Sequence, residues 1–339
     1  MKTLQIYLIA FITSLMFFYS CQEETTANID DTVLTNSKKN NPEEAYPGLT
    51  GDLHSLYYGS QNVKVQKIEN TYVLDGDILF SIDELKETPS AIGEPSISKL
   101  SNRSVGRTGG RWPNNTVYYS VESSLANKNR VTTAIAHWER NTALRFVQRT
   151  NQSDYIYFKT STGCSSSVGR VGGRQSINLA PGCSTGNTIH EIGHAVGLWH
   201  EQSRRDRDDY ITINTQNIKT GKKGNFLTYA QQGRDGDEYT STLDLGSIMM
   251  YGSFFFSKND QPTIVRNNGT TFNVQRDGLS AQDITGINQM YPASTGGNIC
   301  DGVQAYVRGR SYSVGSRVTY QGSLYERKTS SWDKIGQCN

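Results

Sequence analysis

The stretch His190-Glu191-Ile192-Gly193-His194-Ala195-Val196-Gly197-Leu198-Trp199-His200 decides how the rest of the chain is read. On a helix, residues four apart share a face, roughly 5–6 Å apart at Cβ, so His190 and His194 can aim two imidazoles at one cation. Glu191 follows the first histidine, where its carboxylate can reach a water on that cation. Gly197 predicts the end of the helix, because glycine takes the left-handed turn there without a Cβ penalty. The turn brings His200 back as a third nitrogen ligand. A core helix with two hydrogen-bonded histidines and a surface glutamate is the plainer alternative, but it explains neither Gly197 nor His200.

Three imidazoles suit zinc and leave one coordination position free, the open site that catalysis needs. The full pattern H-E-x-x-H-x-x-G-x-x-H is the metzincin signature, which also requires a methionine turn further on. Ser247-Ile248-Met249-Met250-Tyr251 supplies that turn, and Arg204-Arg205-Asp206-Arg207-Asp208-Asp209-Tyr210 lies between. In order and spacing the three blocks resemble the astacin family of zinc endopeptidases, over roughly residues 70 to 292. The resemblance implies an α+β metzincin domain with one zinc ion at the floor of a cleft. His190, His194 and His200 would be the metal ligands and Glu191 the general base. Tyr251 would ligate zinc at rest and swing away to stabilise the transition state. Met249 would form the floor beneath the metal. Protein or peptide substrates follow from the same resemblance. The segment that often supplies a basic side chain to the pocket after the cut holds Arg266, implying an Asp/Glu preference there. A solvated arginine at a strand end is the alternative.

Ahead of this domain, Tyr72-Val73-Leu74-Asp75-Gly76-Asp77-Ile78 resembles the family's propeptide motif F-x-G-D, with Leu74 in the aromatic position. Asp77 is thereby implied to be the latency switch, taking the place of water on zinc. A surface turn between two strands is the alternative, and Cys21 is a rival inhibitory ligand because a thiolate binds zinc well. Between Pro89 and Pro113 the chain is rich in Ser, Arg and Gly, with Arg103, Arg107 and Arg111 expected to be open to an activating protease. The boundary is expected near residues 100 to 107. The resemblance implies that the new N-terminus is buried and pairs through water with Glu201.

The N-terminus reads as a targeting segment: a lysine, then an almost wholly apolar run from Ile6 to Tyr19. Ser20-Cys21 after it resembles a bacterial lipoprotein cleavage site with Cys21 lipidated, and ordinary cleavage with free secretion is the alternative. Either way the protein is expected to be exported, touching a membrane only through such an anchor. The five cysteines fit an oxidising compartment; with Cys21 set aside, the simplest pairs are Cys164–Cys183 and Cys300–Cys338. The first pair matches a family disulfide, whereas Ala143 stands where a cysteine of the family's second one is expected.

With 34 Lys+Arg against 32 Asp+Glu, the chain lacks the basic excess of a nucleic-acid binder. The organisation expected is a signal segment over 1–20, a propeptide over 21–103, the protease domain over 104–293, a linker over 294–299 and a small β module over 300–339. Residues 22 to about 60, polar and rich in Asn, Thr, Glu and Gly, are expected to form a linker or a loosely ordered arm. Strands are expected at 116–121, 155–158 and 176–179, and an amphipathic helix over 129–144. Thr188 is expected to cap the zinc helix. His54 and His137 are expected to be structural.

The tail is a disulfide-closed unit resembling small chitin-binding-type carbohydrate modules. Tyr306, Tyr325 and Trp332 would then form a glycan platform, or else simply its core. The second function class is therefore a glycan- or cell-wall-binding adhesion protein with an accessory protease site. The intact set His190, Glu191, His194, His200 and Tyr251 argues against a spent protease.

Overall fold

The computed structural model describes residues 43–58, 61–89, 103–293, 299–300 and 303–338. Cys21, the targeting segment and residues 294–298 lie outside the described residues. A nine-stranded mixed sheet forms the frame. Its later half comprises β6 (Thr116–Val121), β7 (Arg145–Gln148), β8 (Tyr155–Thr160), β9 (Cys164–Ser166) and β10 (Arg174–Leu179). The neighbours β10/β8, β8/β6 and β6/β7 are parallel, and a parallel pair needs a crossover. Helix α1 (Asn129–Asn141) supplies it between β6 and β7.

Trp138 of α1 is fully buried against α2 (Thr185–Ala195), its indole N–H donating to the Ile189 carbonyl. Val131, Ala134 and Ile135 of α1 join Ile189, Ile192 and the strand residues Val117, Ile156, Phe158 and Ile177 in one core. The helix expected over 129–144 stops at Asn141, because Thr142 turns extended and its hydroxyl caps the Trp138 carbonyl. Leu144 is thereby delivered, fully buried, to the start of β7.

The other half of the sheet comes from the region ahead of the protease domain. Strands β1 (Asp52–Tyr58), β2 (Gln61–Ile68), β3 (Thr71–Leu74) and β4 (Ile78–Phe80) form an antiparallel meander. β4 then pairs in parallel with β9 through Ile78 and Ser166, covering that edge of the protease sheet. The full strand order is β1-β2-β3-β4-β9-β10-β8-β6-β7. The expected loose arm is therefore corrected for residues 43–58: Leu56 packs with Val63, Val65 and Ile78, and Ala45 with Ile68 and Val73. What order this stretch gains comes from pairing with β2 and packing on the meander, contacts that local hydropathy does not register.

Beyond α2 regular structure is sparse. β11 (Ile211–Ile213) pairs with β13 (Ile264–Arg266), and β5 (Arg103–Gly106) with β12 (Asp237–Tyr239). Short 3-10 turns connect them around a second core containing Phe226, Met250, Tyr251, Phe256 and Ile264. Helix α3 (Ala281–Met290) closes the domain, and Tyr291 behind it donates from its hydroxyl to the Val196 carbonyl at the end of α2. The tail forms a three-stranded sheet, β14 (Arg317–Tyr320), β15 (Ser323–Arg327) and β16 (Trp332–Gln337).

Candidate metal centre

Helix α2 starts at Ser184 rather than Thr188. The Ser184 hydroxyl accepts from the Asn187 N–H while the Asn187 side chain accepts from the Ser184 N–H, a reciprocal capping box. Thr188 lies inside the helix, its hydroxyl donating to the Ser184 carbonyl. One turn further on, His190 and His194 project together, their ring centroids 4.8 Å apart. Gly197 sits at φ +111°, where the chain leaves the helix and turns back to His200. The His200 ring then lies 4.6 Å from that of His194, and the two Nε2 atoms are 3.3 Å apart.

Carbonyl oxygens fix two of the rings. His190 Nδ1 lies 2.8 Å from the Ile248 carbonyl oxygen and His194 Nδ1 lies 2.8 Å from that of Leu198. Donation from Nδ1 leaves the Nε2 lone pairs bare and directed inward, the arrangement that backbone carbonyls impose on metal-ligating histidines. Burial pushes His194 down to about 4, so its lone pair stays available at neutral pH.

Asp77 enters this cluster from the turn between β3 and β4. Its Oδ2 is 3.1 Å from His200 Nε2 and 3.4 Å from His190 Nε2, and its Oδ1 is 3.7 Å from His194 Nε2. Burial opposes its charge, yet the three imidazoles hold its carboxyl well below the usual range. The turn is far from the surface: Asp75 and Asp77 are buried, with Asp75 at φ +51° and Gly76 at φ +92°. A Cβ on Gly76 would lie 2.9 Å from the Phe256 ring, so glycine allows the close approach.

The ligand atoms of Asp77, His190, His194 and His200 all lie within 4.8 Å of one another, and all four residues are buried. His190 Nε2 and Asp77 Oδ1 have no hydrogen-bond partner in the protein. Three imidazole rings and a carboxylate converging on one buried point form a donor set that a divalent cation satisfies. The residues fit zinc.

Glu191 lies beside them, fully buried, with neither carboxylate oxygen hydrogen-bonded. Burial first, and then the Asp77 and Glu43 charges, raise its carboxyl well above the usual range. The Tyr251 ring centroid is 4.6 Å from that of His200, and its hydroxyl donates to the Asp75 carbonyl. Met249 packs under α2, where a Cβ on Gly193 would come within 2.7 Å of its sulfur. Asp283 holds this turn: it accepts from the Ser247 hydroxyl at 2.6 Å and the Ile248 N–H at 2.9 Å.

Several expected positions fall elsewhere. Arg266 sits on β13, donating to Thr270 Oγ1 and the Thr271 carbonyl and lying over the Phe272 ring. No contact joins it to the histidines among the described residues. The arginine at the centre is Arg276, whose guanidinium forks onto the carboxylate of Glu43, itself 1% exposed. Asn187 Nδ2 donates to the same carboxylate at 3.1 Å. Arg107 is also not open to cleavage: it is buried, donating to the Val168 carbonyl and paired with Asp235. Arg111 is tied to the Tyr239 hydroxyl at 2.7 Å. Glu201 accepts from the Asp244 N–H, and burial raises its carboxyl to about 8.

The disulfides Cys164–Cys183 and Cys300–Cys338 have S–S distances of 2.07 and 2.00 Å. The first ties β9 to the loop that leads into α2. His137 Nε2 accepts from the Leu279 N–H, a structural contact, and His54 packs edge-on to Tyr72. In the tail Tyr306 stacks on Tyr312 and meets Tyr320 and Trp332 edge-on, while Tyr325 lies outside this cluster.

The placement of Glu43 and Asp75, and the pairing of Arg276 with Glu43, were not legible before folding. Asp75 alone offered a signal, as a second acid in the motif that holds Asp77.

Comparison with known proteins agrees with this geometry. Residues 104–292 match the peptidase family described as Astacin. The chain is similar to Protein SpAN of Strongylocentrotus purpuratus, 36% identical over 232 residues, covering 64% of this chain and 37% of that protein. It is similar to Flavastacin of Elizabethkingia meningoseptica, 34% identical over 253 residues, covering 70% of this chain and 55% of that protein. Similarity to Zinc metalloproteinase nas-4 of Caenorhabditis elegans is 30% identity over 309 residues, covering 88% of this chain and 94% of that protein. The chain thus spans well under two thirds of the length of SpAN and of Flavastacin. With the family domain filling more than half of its length around a three-histidine centre, the chain belongs to the astacin family of peptidases, whose metal is zinc.

Proposed function

We propose that this chain is the latent precursor of an exported zinc endopeptidase, secreted or held at the cell surface through Cys21. The observation that carries the reading is the buried set His190, His194 and His200 with an unpartnered Glu191 beside it. Zinc held there by the three histidines would supply Lewis-acid polarisation of the scissile carbonyl and acidify the attacking water. Glu191 takes the proton from that water and returns it to the leaving amine, one carboxylate serving as base and then as acid. Tyr251, freed from the Asp75 carbonyl, donates its hydroxyl to the developing charge on the carbonyl oxygen.

Latency is proposed to lie with Asp77, which lies among the three histidines and keeps a substrate carbonyl out. An activating protease would have to act ahead of the anchored Arg107 and Arg111. The Asp/Glu preference after the scissile bond is assigned to Arg276 in place of Arg266. Support comes from Glu43, a carboxylate side chain already seated in the Arg276 fork beside α2. Arg276→Gln should lower kcat/KM for acid-bearing peptides about tenfold relative to neutral ones, and an unchanged ratio would remove Arg276 from specificity.

The test of the central reading is casein hydrolysis by the trypsin-nicked protein, with and without a zinc chelator, beside Glu191→Ala. Chelator-sensitive activity that the variant lacks is expected. Inactivity in a protein that also fails to take up zinc would sink the reading. For the tail module, the exposed ring cluster around Tyr306 and Tyr320 favours glycan binding, which a pull-down on insoluble glycans would test.

A further inference from the structure

The region ahead of the protease domain presents several carboxylates to cations of that domain. Asp77 meets the histidines, Glu43 meets Arg276, and Glu44 meets Lys222 at 3.1 Å. The remaining pair is the least explained. Asp75 Oδ2 is 3.0 Å from Arg234 Nη2, with side-chain exposures of 0% and 2%. Gln232 Nε2 donates to the other Asp75 oxygen at 3.1 Å.

The backbone and ring contacts of Arg234 come from residues 104–293, although Trp199 and Tyr229 also pack against Leu56, Val63 and Val65 of the preceding region. The Arg234 backbone N–H donates to the Tyr229 carbonyl at 2.9 Å, and its guanidinium lies over Trp199, 4.4 Å from the ring centroid. Trp199 is in turn fixed by its indole N–H on the Asp235 carbonyl. Yet Nε, Nη1 and Nη2 of Arg234 have no hydrogen-bond acceptor, and among the described residues its ion pair is with Asp75. Removal of the preceding region would take Asp75 away from this guanidinium. A guanidinium fork that has given up one carboxylate can take another of the same geometry, so this cation is placed for a carboxylate from elsewhere.

The place of that carboxylate is given by Asp75 itself. Asp75 Oδ2 is 3.9 Å from His200 Nδ1, at the edge of the third histidine. The Arg276 fork lies instead by Asn187, on the helix that carries His190. The two arginines therefore flank the centre from its His200 and α2 sides.

We propose that Arg234 is a second acid-reading residue of the cleft, taking a carboxylate side chain of the bound peptide on the His200 side of the metal centre. The inference rests on the endopeptidase reading above. It makes the preferred substrate a peptide with two acidic residues, one read by Arg276 and the other by Arg234.

The test uses the activated full chain and a neutral peptide frame in which Asp is scanned over several positions on either side of the cut. For each position the ratio of kcat/KM to that of the neutral peptide is measured for wild type, Arg234→Gln, Arg234→Lys and Arg276→Gln. The same peptides, fluorescently labelled, are titrated by anisotropy into the Glu191→Gln protein with and without Arg234→Gln. Arg234→Gln should lose about tenfold of the acid preference at one position, distinct from the one Arg276→Gln affects, with a matching loss of binding. Should Arg234→Gln not fold by circular dichroism, Arg234→Lys decides, since it keeps the charge, loses the fork and should drop severalfold. Acid preference unchanged at every position, with Arg234 serving only to seat Asp75, overturns the proposal. Absence of chelator-sensitive casein hydrolysis would instead strike the endopeptidase reading, and the anisotropy titration would still decide whether Arg234 binds acid.

Discussion

Glu191 carries both the chemistry and the cost of the centre at the scale of a single residue. Its two oxygens are buried without partners, an arrangement that burial penalises and that only a reacting proton or water relieves. Replacing it with Gln keeps the shape and removes the base. Glu191→Gln should retain zinc at one equivalent by atomic absorption while kcat falls about 100- to 10,000-fold. His194→Ala should differ in kind, losing zinc itself, because the two remaining imidazoles cannot close the site. Equal zinc content in both variants would contradict the division of roles.

At the scale of the element, α2 is defined by where it lacks side chains. Gly193 leaves room for the Met249 sulfur, Gly197 ends the helix, and Gly186 admits the backbone of Arg276. A Cβ at Gly186 would lie 1.7 Å from the Arg276 carbonyl oxygen, a contact that no rotamer change can relieve. Gly186→Ala should therefore push the Arg276 segment away. The expected result is a loss of about 1–3 kcal/mol in thermal or denaturant unfolding, together with a weaker Asp/Glu preference. Loss of stability with preference intact would show that Arg276 is placed by its own loop and not by the helix.

At the scale of the whole molecule, the strands ahead of the protease domain extend its sheet, and the turn between β3 and β4 sets Asp77 among the histidines. Asp77→Ala should let the unprocessed protein hydrolyse casein, since nothing else described reaches all three histidines; a fully latent variant would refute Asp77 as the switch. The rear of the domain holds a different device. Glu139 lines a cavity of about 110 Å³ between α1, β7 and the tail module, with Arg145 and Arg317 on its walls. Burial raises its carboxyl from 4.5 to about 7, against the lowering effect of the Phe146 N–H and those two arginines. A folded value above the unfolded one means that its contribution is complete below pH 4.5. That contribution is lost as the pH rises to about 7, because the unfolded chain releases its proton first. Melting temperatures at about pH 5 and about pH 7.5 should differ less in Glu139→Gln than in wild type, and an identical slope would exclude this group as the cause.

The metal centre was legible in one short stretch because its geometry is local. Helical periodicity sets His190 against His194, and a glycine that tolerates positive φ returns the chain to His200, so spacing alone dictates the ligand set. The strands at 116–121 and 155–158 were legible for a similar reason, since β-branched and aromatic runs carry their own preference, and the second runs on to Thr160. The cap of α2 was misplaced because serine and threonine compete for that role, and the reciprocal bond with Asn187 decides between them. The partners of Arg276 and Arg234 were beyond reach. Glu43 is 233 residues from Arg276 in sequence, and an ion pair leaves no periodic trace in either segment. Which carboxylate meets which arginine follows from the pairing of β4 with β9, which fixes where the preceding region lies across the cleft. Sequence by itself determined what can bind the metal, through short-range backbone geometry. Tertiary structure alone decided what occupies the cleft around it, because long-range electrostatic contacts exist only after the sheet has closed.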